Sequence, residues 1–186
     1  MKKNIILSAV ASALLFAGAA HAGNTIEFKG EITDSTCDVA LEGGETGTIV
    51  RLPTVSKTAL PGLDSTAGRT MFTLLASNCT LANGDTKVAA FFYANDAKSV
   101  DTASGYLNNT ATDSPAQNVK LRLVDGTSGN VIKVGYTDQM TSTEGVTVDG
   151  SGNARMPYGV EYIATDVAGA TGGFVEGSVV YDLMYP

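Results

Sequence analysis

The stretch Val179-Val180-Tyr181-Asp182-Leu183-Met184-Tyr185-Pro186 closes the chain, and its reading decides the rest. Val179, Tyr181, Leu183 and Tyr185 alternate with Val180, Asp182 and Met184, so an extended segment here has one apolar, aromatic face. Chain ends ordinarily fray and are polar. A last strand of this kind must be held by something, inside the fold or from another chain. A second alternating segment, Thr25 to Thr33, lies near the opposite end. The functional question is what these two strands pair with.

Between them, short β-rich runs are separated by turn clusters. Thr48 to Leu52, Met71 to Ala76, Lys87 to Ala94, Val119 to Leu123, Val131 to Tyr136, Met156 to Ala164 and Phe174 to Tyr185 are the expected strands. Asp125 to Asn130 predicts a hairpin between the fourth and fifth. Gly43-Gly44, Asn83-Gly84-Asp85, Asp149 to Asn153 and Gly172-Gly173 punctuate the rest, and Leu60 to Gly68 reads as a loop. No helix of convincing length is expected. Many short strands with glycine-rich turns predict an all-β sandwich of the immunoglobulin-like sort, without the tryptophan core of antibody domains, since the chain has no Trp.

The first 22 residues read as a secretory signal peptide. Lys2 and Lys3 precede the apolar run Ile5 to Ala20, and Ala20-His21-Ala22 is a cleavage signal. A retained membrane anchor would need a longer span and flanking charges. Cleavage leaves Gly23 to Pro186, 164 residues, enough for one domain with a core. The charge moves from −7 to −9, with 10 basic against 19 acidic residues left. That balance argues against nucleic acid or an anionic membrane as partner. The two cysteines, Cys37 and Cys79, in an exported chain predict one disulfide. Such a link stabilises by about 4 kcal/mol on the chain-entropy view. A two-cysteine metal site would lack histidine partners and CxxC spacing.

The chemistry of enzymes is hard to place here. The sole histidine, His21, falls in the signal peptide, which removes Ser-His-Asp and Cys-His catalysis. Asp96 and Asp101 are better read as a solvated loop than as a glycosidase pair. No phosphate-binding glycine motif occurs. Asp149 to Asn153 resembles a calcium loop in composition only and reads as a turn. Asn78-Cys79-Thr80 and Asn108-Asn109-Thr110 match the glycosylation pattern without further support. No cofactor, metal or membrane insertion is expected.

The two ends carry a family resemblance. Thr25-Ile26-Glu27-Phe28-Lys29-Gly30-Glu31-Ile32-Thr33-Asp34 followed by Cys37-Asp38-Val39 resembles the start of pilus subunits built by the chaperone–usher pathway of Gram-negative bacteria. Leu52-Pro53-Thr54-Val55 and Phe72-Thr73-Leu74 before Cys79 are similar to segments of the same subunits. Gly173 stands fourteenth from the end and Tyr185 is penultimate, which resembles that family's carboxy-terminal signature. Alternation alone fits the ordinary first and last strands of a self-contained sandwich; the joint pattern of Gly30, the cysteine spacing, Gly173 and Tyr185 reverses that balance.

The resemblance implies an incomplete immunoglobulin-like sandwich that lacks its last strand. It implies residues 1–22 as signal peptide, 23–36 as an amino-terminal donor-strand arm and 37–186 as the pilin domain. A periplasmic chaperone would lend a strand first, and at an outer-membrane usher a neighbouring pilin's arm would replace it. Ile26, Phe28, Gly30 and Ile32 share the arm face that would enter the neighbour's groove, with Gly30 where space is tight; Asp34 departs from the apolar pattern. Gly173, Val179, Tyr181, Leu183 and Tyr185 belong to the strand that would meet chaperone and then neighbour. The arm would span roughly 45 Å extended. Burying Ile26, Phe28 and Ile32 would contribute about 1.5–3 kcal/mol each. The function so implied is a non-enzymatic fimbrial subunit exported through the periplasm to the cell surface. A minor adaptor or adhesive subunit of the same fibre is the alternative, and a stand-alone exported hydrolase is the rival from another class.

Overall fold

The computed structural model describes residues 30–42, 48–82, 84–94 and 96–186. The signal peptide, Ile26 and Phe28 lie outside the described residues. The chain divides between Ile32 and Thr33. The second part, from Thr33 onward, is nearly all β, as expected.

Its larger sheet is antiparallel and rests on three long strands. They are β2 (Thr66–Thr80), β6 (Val119–Asp125) and β9 (Ala154–Ala164). β9 lies between the other two, with Leu74 opposite Met156 and Leu121 opposite Tyr162. Alternation along β6 buries Val119, Leu121 and Leu123 and leaves Lys120 and Arg122 on the outer face. β1 (Thr36–Leu41) pairs with β2 and forms one edge. β4 (Val100–Asp101) and β5 (Tyr106–Asn108) extend the other side, and β7 (Val131–Ile132) completes the expected hairpin with β6. The smaller sheet has the order β10-β3-β8, from β3 (Lys87–Tyr93), β8 (Val146–Thr147) and β10 (Val180–Met184). Helical structure among the described residues is one 3-10 turn, Lys57–Ala59, and one turn of α-helix, α1 (Gln139–Ser142).

The core is filled from both sheets by Leu74, Val88, Phe92, Leu123, Ile132, Met156 and Tyr158. Cys37 and Cys79 form the expected disulfide, which ties β1 to the end of β2. On the outer face, Glu161 is buried between two cations: Arg69 Nε donates to it at 2.8 Å, and Arg122 donates from its own strand. Burial would push the Glu161 carboxyl up, but the two guanidinium groups outweigh it and hold it below the usual range.

Three sequence expectations are corrected. β2 begins at Thr66, within the segment read as a loop, because a bulge between Ala67 and Thr70 absorbs Gly68 and hides the alternation. Thr48 to Leu52 is no strand: only Ile49 forms a bridge, and Pro53 cannot donate to a ladder. The last strand is shorter than expected, since Phe174 to Val179 runs outside it. Asp149 to Asn153 is the expected turn, closed by the Ser151 and Asn153 amides donating to Asp149 Oδ1.

Candidate functional site

β10 has one paired edge and one open edge among the described residues. On the paired side, Tyr181 stands opposite Phe92 and Leu183 opposite Ala90. The backbone of those two β3 residues points the other way. Ala90 N–H donates to Tyr158 Oη at 2.7 Å, and Phe92 N–H donates to Gln139 Oε1 at 2.9 Å. The Phe92 carbonyl accepts from Gly135 N–H at 2.9 Å and from Gln139 Nε2 at 3.0 Å. In an antiparallel ladder, hydrogen-bonded and non-bonded pairs alternate. Val180, Asp182 and Met184 therefore exchange ladder bonds with β3. The backbone N–H and C=O groups of Tyr181 and Leu183 face outward along the open edge.

The side chains of the same residues point inward. Val179, Tyr181, Leu183 and Tyr185 pack against the main core yet stay only half-buried, whereas Val180 on the opposite face is half exposed to solvent. The Tyr181 ring lies 6.2 Å from that of Phe92. Burial pushes the phenols of Tyr181 and Tyr185 up, with Asp182 and Asp85 adding to the latter. From the other end of the chain, Val39, Leu41, Val50 and Leu52 pack half-buried on the same core. β1, which carries the first two, is likewise an edge strand. Thus the half-covered part of the core is bordered by residues from two edges that belong to different sheets.

A cleft of about 910 Å³ opens beside the approach to β10. Val50, Leu52 and Val55 form one wall, residues 172–177 the other, and Val119, Leu121 and Tyr162 line it as well. Gly173 builds the second wall. Its φ is +150°, and a Cβ there would lie 2.4 Å from the Ala116 amide nitrogen and 2.5 Å from the Ser114 carbonyl oxygen, so only glycine fits. Sequence reasoning missed the wall at Val50 to Val55 as a site feature. Its signal was present: alternating Val50 and Leu52 run into Pro53, an apolar strip barred from a ladder.

The described arm residues behave differently. Ile32 is 97% exposed, and Gly30 is exposed with nothing within 4 Å of where a Cβ would stand. Among the described residues nothing requires glycine at position 30. Thr33 to Thr36 already belong to the sandwich: Thr33 Oγ1 and Ser35 Oγ donate to Asp85 Oδ2 at 3.0 and 2.6 Å.

Asp96 and Asp101 are accounted for by structure. Asp96 Oδ1 accepts from the Lys98 and Ser99 amides. Asp101 is held down to about 2, chiefly by the hydrogen bond from Lys120 and then by those from Ser104 and the Ala103 amide. No cluster of three or more metal-ligating side chains occurs among the described residues. No described helix is long and apolar enough to cross a membrane.

Comparison with known proteins gives the family and the fold. The family model FimA, described as type-1 fimbrial protein A, matches residues 52–186. The major fimbrial subunit SMF-1 of Stenotrophomonas maltophilia is 38% identical over 95% of this chain and 99% of its own length. The F17 fimbrial protein of Escherichia coli is 34% identical over 99% and 98%. A type I fimbria protein and antigen of Burkholderia pseudomallei superposes with a TM-score of 0.55 at 26% identity, covering 81% of this chain and 99% of that one. The P pilus rod subunit PapA shares the fold, with a TM-score of 0.57 at 15% identity over 81% and 99%. Together with the all-β sandwich and its single disulfide, these matches show that this chain belongs to the type-1 fimbrial protein family, whose members are non-enzymatic structural subunits of surface pili.

Proposed function

We propose that this subunit polymerises by strand donation, with the open edge of β10 and the adjoining cleft as acceptor and the amino-terminal arm of a neighbouring copy or another pilin as donor. The observation that carries this reading is the outward-facing backbone of Tyr181 and Leu183 over a half-covered core. An extended segment there gains main-chain hydrogen bonds from the edge and specificity from alternate side chains that enter the apolar opening. Ile26, Phe28 and Ile32 supply such side chains. The exposure of Ile32 and the unconstrained glycine at position 30 support a partner outside the chain. The free part of the arm is then Gly23 to Ile32, because Thr33 and Ser35 are anchored through Asp85.

On this reading a periplasmic chaperone fills the same edge before assembly and an outer-membrane usher is the site of exchange. The subunit's place is the fibre shaft, a role favoured by the major-subunit relative that matches it end to end. Gly30→Val tests the donor side. Fibre formation is expected to be lost, by electron microscopy of the cell surface, while the secreted subunit keeps its disulfide and β content. Normal fibres from Gly30→Val would contradict the placement of Gly30 in a tight pocket.

A further inference from the structure

The amide of Leu183 faces the open edge of β10, yet it already has an acceptor. It donates to Oδ1 of Asp182, its own neighbour, at 2.8 Å. Asp182 is exposed, so this carboxylate reaches the edge from the solvent face. The far side of β3, in the same sheet, is closed in another manner. There the wholly buried Gln139 both accepts from Phe92 N–H and donates to Phe92 C=O, so one side chain stands in permanently for a strand. The contrast is between a two-bond plug fixed in the core and a one-bond plug held in water. The second can leave by a single rotamer change.

We infer that Asp182 is a gate on strand addition: its carboxylate holds the hydrogen-bond position at the Leu183 amide that an arriving strand's carbonyl must take. The inference rests on the strand-acceptance reading above. The gate satisfies the edge while it is empty and discourages chance pairing of exposed edges, a known hazard of unpaired strands. It yields when the arriving segment also fills the apolar opening, because the buried side chains then outweigh one solvent-exposed bond. Charge is a separate contribution, since the arm carries Glu27 and Glu31 besides Lys29.

The test follows uptake of a fluorescent peptide of residues 23–36 by the mature chain, using anisotropy under single-turnover mixing. Asp182→Ala is expected to take up the peptide roughly threefold to tenfold faster than the parent, the range for losing one such hydrogen bond. Asp182→Asn keeps an acceptor of the same shape without the charge and is expected to stay near the parent rate. A parent-like rate in Asp182→Ala would overturn the gate. So would an Asp182→Asn rate equal to that of Asp182→Ala, which would assign the effect to charge. If the parent chain takes up no peptide, strand acceptance itself fails and the gate falls with it.

Discussion

Tyr158 shows how one residue joins the two sheets. Its ring packs edge-on against Phe92 at 5.1 Å, and its hydroxyl accepts the Ala90 amide that β10 leaves aside. Burial pushes the phenol up to about 12. Tyr158→Phe keeps the ring and orphans that amide, so urea unfolding is expected to show a loss of about 1–3 kcal/mol. An unchanged midpoint would mean that water reaches the amide. Gln139 has the same purpose two residues along β3, at Phe92. Neither role could be read from the sequence, because each partner is a backbone group far away along the chain. Gly173 differs: its position relative to Tyr185 marked it, and the crowding by Ser114 and Ala116 gives the physical reason.

At the scale of elements, long apolar or alternating runs were legible and short ones were not. β3, β6 and β9 were expected close to where they lie: β6 alternates, while β3 and β9 are apolar runs buried over most of their length. β4, β5 and β8 have two or three residues each, too few to show a period. The apolar alternation of Thr48 to Leu52 was legible, but not its place: Val50, Leu52 and Val55 line the cleft. β10 was legible as a strand, and its register with β3 was not. That register predicts an alternating pattern of amide hydrogen exchange in the unassembled subunit. Val180, Asp182 and Met184 are expected to be slow and Tyr181 fast until an arm binds, with Leu183, whose amide donates to Asp182, in between. Uniform protection along β10 before arm binding would contradict an open edge.

For the whole molecule, acidity and the outer-face ion pairs set the response to pH. Asp101 is held near 2 and Glu161 below its ordinary range. A carboxyl depressed in the fold contributes its full stabilisation above the unfolded range near 4 and loses it as pH falls toward the folded value. The unfolding midpoint is therefore expected to drop between about pH 4 and pH 2, and Asp101→Asn to flatten that drop. A profile unaffected by Asp101→Asn would remove Lys120–Asp101 from the account. The Cys37–Cys79 link was legible from export and an even cysteine count, and the family from the two termini. The opening in the core was not, because periodicity reports which face of a strand is apolar and not whether anything covers it. The measurement that bears most directly on that opening compares the mature chain with the same chain extended after Pro186 by a second copy of residues 23–36. The extended chain is expected to be a monomer whose unfolding midpoint lies far above that of the parent; equal stability of the two, with the parent already a sealed monomer, would contradict the account.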